Sequence, residues 1–118
     1  MPSDAERAVL YDILHNLDLV QQFIQDRDYE RFRVDTLRVY AVTRCLEIIS
    51  EASRRLSEEL KARHSDIAWH EMAGAGNVYR HDYEDVSVQR LWDTVQLALP
   101  PLRAVVMAEI SGLPPEDA

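Results

Sequence analysis

The chain reads as an all-α protein, a four- to five-helix antiparallel up-and-down bundle, and three observations lead there. Apolar residues recur at intervals of three and four through most of its length, no stretch alternates apolar with polar residues, and the breaks between periodic segments are short. No repeat, low-complexity tract or long linker divides the 118 residues, so one domain over 1–118 is expected.

The first helix starts at Ser3 or Asp4, either of which is a good N-cap. Leu10, Ile13, Leu14, Leu17, Val20 and Ile24 form its apolar stripe. Asp12, Asn16, Asp18 and Gln22 fall on the opposite, wet face, and His15 belongs with them at the surface. The polar run from Gln25 to Arg33 reads as a connection with one short helical turn that tucks Phe32 inward.

Asp35 then caps a long central helix whose apolar face carries Leu37, Val42, Cys45, Leu46, Ile49, Ala52, Leu56 and Leu60. Arg44, Glu47 and Glu51 line one side of it, either as an exposed salt-bridge ladder or as groups partly buried where two subunits meet. A third, shorter helix follows a cap at Ser65 or Asp66 and meets Ile67, Trp69 and Met72 before Gly74 and Gly76. Those glycines mark either a helix end or the close approach of another backbone.

A short loop from Asp82 to Ser87, with Ser87 as cap, leads into the last pattern: Leu91, Val95, Ala98 or Leu99, Leu102, Val105, Val106 and Ile110. Pro100-Pro101 removes two backbone donors, which predicts a kink or break near Leu99. Gly112 with Pro114-Pro115 ends the helix, and the residues from about 113 to 118 form an acidic, disordered tail.

Composition excludes several functions. A net charge of −8 and a pI near 4.9 argue against coating a nucleic acid with the whole surface, though not against a local basic cleft. Arg54, Arg55, Lys61, Arg63 and Arg80 are close in sequence, but Glu58 and Glu59 interrupt them and the stretch reads as a mixed-charge face. Cys45 is the only cysteine, on an apolar face, which rules out an intramolecular disulfide and a cysteine-built zinc site. With no signal peptide and no membrane-length apolar run, a reducing cytoplasm fits. The four histidines share no metal-ligand spacing, and neither a metal nor a cofactor is expected. His64 reads as a cation at a helix C-terminus and His70 as a surface residue. A domain this small leaves apolar surface that a second subunit can cover.

One stretch, Gly74 to Tyr83, concentrates chemistry: Asn77, Arg80, His81 and Tyr83 stand together. An imidazole can take or give a proton near neutrality, and a guanidinium can hold a phosphate by two parallel hydrogen bonds. Base and cation together suit RNA cleavage without a metal. An Arg-His pair alone is common, so this reading gains weight only from the wider pattern.

That pattern resembles the HepT-like toxins of the HEPN superfamily. Arg44-x-x-Glu47-Ile48-Ile49-x-Glu51-Ala52 is similar to their second-helix signature, and Ile67-x-Trp69-x-x-Met72-Ala73-Gly74 to the approach to their active site. His81-x-Tyr83, Val86, Trp92-Asp93-Thr94-Val95 and Leu99-Pro100-x-Leu102 match the remaining half. The resemblance implies a helical homodimer that brings two Arg-x4-His-x-Tyr motifs to a shared cleft and cleaves RNA without a metal. It also implies a partner, a small nucleotidyltransferase antitoxin of the MNT type that silences the toxin by adding AMP to the motif tyrosine. Carried over by position, His81 is the catalytic histidine, Asn77 the polar residue after the arginine and Tyr83 the modified tyrosine. The motif arginine falls on Gly76. Either Arg80 takes over its role, or the chain is a degenerate HEPN binding module that keeps the nucleotidyltransferase partner without the nuclease.

Overall fold

The computed structural model describes residues 4–78 and 85–114, the side chains of 77, 78 and 85–87 excepted. All regular elements among them are helical: α1 (Asp4–Ile24), α2 (Tyr29–Arg33), α3 (Thr36–Arg54), α4 (Glu58–Arg63), α5 (Trp69–Val78), α6 (Asp85–Asp93) and α7 (Leu99–Ser111). A π-helical turn, Thr94–Ala98, joins the last two. The bundle is elongated, 47 × 26 × 20 Å. Its spine is α3, packed by α1 on one side and α5 on another, with α7 lying along α1.

The apolar stripe of α1 does what its spacing dictates: Leu10, Ile13, Leu17 and Val20 are buried. Asn16 does not follow the expectation. It is buried among them, and its amide donates to the carbonyl of Asp12 at 2.9 Å, so a backbone acceptor on the same helix satisfies it. The helix ends without a glycine, and Asp26 takes the left-handed conformation (φ 62°) that aspartate tolerates better than most side chains. Asp28 then caps α2, which delivers a fully buried Phe32 against Trp92 of α6, ring centroids 5.2 Å apart.

Asp35 caps α3 as its position predicts, accepting from the backbone N–H of Arg38. That bond, helped by the Arg38 and Arg27 guanidiniums, holds its carboxyl below the usual value. Leu37 departs from the expected core, standing 76% exposed on the first turn of α3, where no element covers it among the described residues. The expected single long helix is two. The chain leaves α3 at Arg55, and Ser57 restarts it as the N-cap of α4, accepting from Leu60 N–H while Glu6 of α1 accepts from Ser57 N–H. Leu56 and Leu60 are still buried, because a short non-helical step preserves their facing.

His64 is the C-cap of α4, at the helix end where it is expected, and its Nε2 lies 2.7 Å from Glu109 of α7. Arg63 reaches the same carboxylate at 2.7 Å, and its hydrogen bonds hold the Glu109 carboxyl below the ordinary value despite opposing desolvation. Neither Ser65 nor Asp66 caps the next helix. Instead α5 begins at Trp69, whose indole N–H donates to the carbonyls of His64 and Lys61 and so closes the end of α4.

Ser87 lies inside α6 rather than at its cap. The break predicted at the prolines is a π turn: the N–H of Leu99 bonds the carbonyl of Thr94, five residues back, and Pro100 and Pro101 enter α7 in its first turn. Neither proline has an N–H to give, so widening the preceding turn costs the helix little and makes room for the rings. No helix among the described residues is long and apolar enough to cross a membrane. Of the expected tail, Leu113 and Pro114 are described and the rest lies outside the described residues.

Candidate functional site

The helix that leads to the chemical stretch is α5, and its seating follows from one missing side chain. Gly76 is buried where α5 crosses α3, and a Cβ built on it would lie 2.9 Å from Glu47 Cα and 3.3 Å from Ser50 Cβ and Oγ. Only glycine lets the two backbones approach this closely. The contact is also polar, since Gly76 N–H donates to the hydroxyl of Ser50 at 2.9 Å, and Ser50 is itself 3% exposed. Gly74, two residues earlier, has nothing within 4 Å of where its Cβ would be. Of the two readings open to the glycines, close approach holds at Gly76, and α5 runs on through both.

Beside this crossing runs a cleft of about 420 Å³, walled by Arg44, Glu47, Glu51, Arg54 and Arg55 and floored by Ser50 and Gly76. Arg54 bridges it, one guanidinium nitrogen donating to Glu51 at 3.0 Å and the other to the carbonyl of Ala73 on α5 at 2.7 Å. The expected ladder of Arg44, Glu47 and Glu51 is thus rearranged, with Glu51 paired to Arg54. Arg44 and Arg55 are exposed and have no hydrogen-bond or ion-pair partner for their side chains among the described residues.

Asn77 follows Gly76 in the last turn of α5, which sets its backbone at the edge of the cleft. Arg80, His81 and Tyr83 lie outside the described residues. Of the other histidines, His15 and His70 are exposed, as expected. Cys45 is buried, and desolvation raises its thiol pKa, the state of an inert core cysteine. Among the described residues no three His, Cys, Asp or Glu side chains form a group that can hold a metal ion.

Reading the residues in order did not isolate the arginines around Gly76. Lys61 and Arg63, grouped with them by sequence, are committed to Glu58 and Glu109 and do not line the cleft. A usable signal was present: eleven residues at 3.6 per turn make just over three helical turns, so Arg44 and Arg55 fall on nearly the same side.

Comparison with known proteins agrees with this architecture. The chain is 34% identical over 103 residues to a Methanocaldococcus jannaschii protein provisionally named RNase MJ0125, covering 87% of this chain and 89% of the relative. A second protein of that organism, provisionally named RNase MJ1380, is 36% identical over 100 residues, with 85% and 92% covered. A Thermococcus cleftensis protein named a probable ribonuclease HepT is 37% identical over 94 residues, with 80% and 86% covered. No solved structure matches the chain. The sequence profile described as ribonuclease HepT-like matches residues 13–109, from the middle of α1 to the last turn of α7, and with the helical bundle in place the chain belongs to the HepT-like family.

Proposed function

We infer that this chain is a ribonuclease-type toxin of a toxin–antitoxin pair, a metal-independent endoribonuclease that acts as a homodimer. The observation that carries the reading is the seating of α5. Gly76 presses it onto α3 beside an arginine-lined cleft, and Asn77, the first of the candidate residues, stands in the last turn of that helix. The names of the relatives supply the substrate class.

In this reading His81 takes the proton from a ribose 2′-hydroxyl, whose oxygen attacks the adjacent phosphorus. The bond to the 5′-oxygen breaks, that oxygen leaves with a proton, and a cyclic phosphate remains. His81 of a second subunit can supply the leaving proton, so a dimer provides base and acid from one residue. Arg80 holds the phosphate oxygens in place of the family's arginine, and Asn77 and Tyr83 position the substrate. An MNT-type nucleotidyltransferase antitoxin neutralises the toxin by AMPylation of Tyr83.

Purified protein incubated with RNA and EDTA, beside His81→Ala, tests the activity. Cleavage by the wild type and none by the variant is expected. Equal cleavage by both, or by neither, overturns it.

A second reading has its own observation. The family's arginine position is filled by a glycine that the α3 backbone approaches within 2.9 Å of a Cβ, so no larger side chain fits there without movement. This suits a HEPN module that binds the nucleotidyltransferase and does not cut RNA. Co-expression with that partner and intact mass measurement separates the two. An AMP-sized increment lost in Tyr83→Phe, in a protein that leaves RNA whole, selects the binding module.

A further inference from the structure

Three features of the described residues outside the motif offer a surface or a charge cluster. The groove of about 300 Å³ between α5 and the π turn, under an exposed Leu97, is apolar, and nothing indicates what covers it. The Arg63–His64–Glu109 cluster is internally satisfied and joins α4 to α7. The cleft beside Gly76 differs from both, because it holds cations with no partner among the described residues.

Most arginines of the described residues are already engaged: Arg33 with Glu30, Arg38 with Asp35, Arg54 with Glu51, Arg63 with Glu109 and Arg103 with Asp18. Arg44 and Arg55 are not, although the chain carries 21 acidic residues and a net charge of −8. Both line the same cleft. The rise of α3 from Arg44 to Arg55, its C-cap, is about 16 Å, and Arg54, next to Arg55 in the chain, is anchored to α5. A protein this acidic repels an RNA strand from most of its surface, so uncommitted guanidiniums aligned beside the motif helix are where a strand can settle. The two carboxylates in the wall oppose this, but Glu51 is already neutralised by Arg54.

We propose that Arg44 and Arg55 form a phosphate track along α3 that holds the backbone of single-stranded RNA beside Gly76 and the end of α5. The track rests on the ribonuclease reading for its substrate class. It leaves catalysis to the motif and sets where the strand lies, so Arg44 and Arg55 are binding residues and not catalytic ones. Their planar, permanently charged heads suit bidentate phosphate contacts that a lysine cannot reproduce.

The test is fluorescence anisotropy of a short fluorescein-labelled single-stranded oligoribonucleotide with the full chain, across a salt series. The variants are Arg44→Ala, Arg55→Ala, the double variant and Arg31→Ala. Arg31 is an exposed arginine on α2 away from the cleft, and it controls for the loss of any one positive charge. Each track contact contributes about 0.7 to the slope of log affinity against log salt, which carried from 1 M to about 0.15 M salt is roughly fourfold in affinity. Arg44→Ala and Arg55→Ala are each expected to weaken binding about fourfold, the double variant about fifteenfold, and Arg31→Ala not at all. Circular dichroism melts confirm that the variants are folded.

Affinities and salt slopes equal to those of Arg31→Ala overturn the track, as does a wild type that binds no RNA. Loss of affinity for an acidic nucleotidyltransferase partner, with RNA binding unchanged, also overturns it and reassigns the cations to a protein interface. Measuring cleavage in His81→Ala alongside keeps the two ideas separable. A strand held by the arginines and never cut leaves the track standing and removes the nuclease; RNA cut equally well without the arginines does the reverse.

Discussion

Replacing Gly76 by alanine sets two effects of opposite sign against each other, and Gly74→Ala isolates one of them. Both positions lie inside α5, so each substitution gains about 1 kcal/mol of helix propensity. At Gly74 that is the whole effect, because a Cβ there meets nothing within 4 Å. At Gly76 the new methyl lies 2.9 Å from Glu47 Cα, which is backbone and cannot rotate aside. Overpacking of this kind costs about 1–3 kcal/mol, and moving α5 outward stretches the Gly76 N–H···Ser50 hydrogen bond, worth about 1 kcal/mol more. Gly74→Ala is therefore expected to stabilise the protein by about 0.5–1 kcal/mol and Gly76→Ala to destabilise it by about 1–3 kcal/mol. At roughly 4 °C per kcal/mol for a domain of this size, the melting midpoint rises by about 2–4 °C in the first and falls by about 4–12 °C in the second. Thermal melts and urea titrations followed by circular dichroism measure both. Midpoints that move in the same direction would show that the crossing of α3 and α5 is not held by the glycine. Gly76→Arg carries the same Cβ and is expected to destabilise at least as much.

Three further outcomes follow from the packing. Glu109 has a carboxyl pKa held below its ordinary value, chiefly by hydrogen bonds from Arg63, so its contribution is complete above the ordinary carboxylate range and is lost as pH falls through the lowered value; acid titration of stability should be shallower in Glu109→Gln than in the wild type over that window. Cys45 is buried with its thiol pKa raised by desolvation, so iodoacetamide at neutral pH should leave it unmodified in the folded protein and alkylate it in urea; labelling without denaturant refutes the buried assignment. Phe32→Ala should cost about 3–5 kcal/mol, since the ring is fully buried against Trp92 and anchors α2 to α6; a loss below about 1 kcal/mol would mean that the corner repacks freely.

The helices themselves were legible because their cause is local. The stripe of α1, the Asp35 cap and the inward turn of Phe32 follow from residues within a few positions of each other, and the prolines announce the fault before α7 in their own chemistry. The misreadings share a different cause. Leu37 has the spacing of a core residue and Asn16 the chemistry of a surface one, yet each is decided by what lies opposite: no covering element among the described residues for the leucine, a carbonyl within reach for the asparagine. The split at Arg55–Ser57 depends likewise on Glu6, distant in sequence, which accepts the N–H of the new cap.

For the site, the sequence by itself determined the family pattern, the candidate residues Asn77, Arg80, His81 and Tyr83, and the absence of an arginine at position 76. The fold decided what that absence accomplishes. A glycine in a sequence offers several meanings, and only the distance to Glu47 and the bond to Ser50 select one, because close approach is a property of two segments. The same holds for the arginines of α3. In the chain they are one part of a mixed-charge run, and it is tertiary packing, by engaging some cations and leaving Arg44 and Arg55 facing a common cleft, that turns composition into a candidate site.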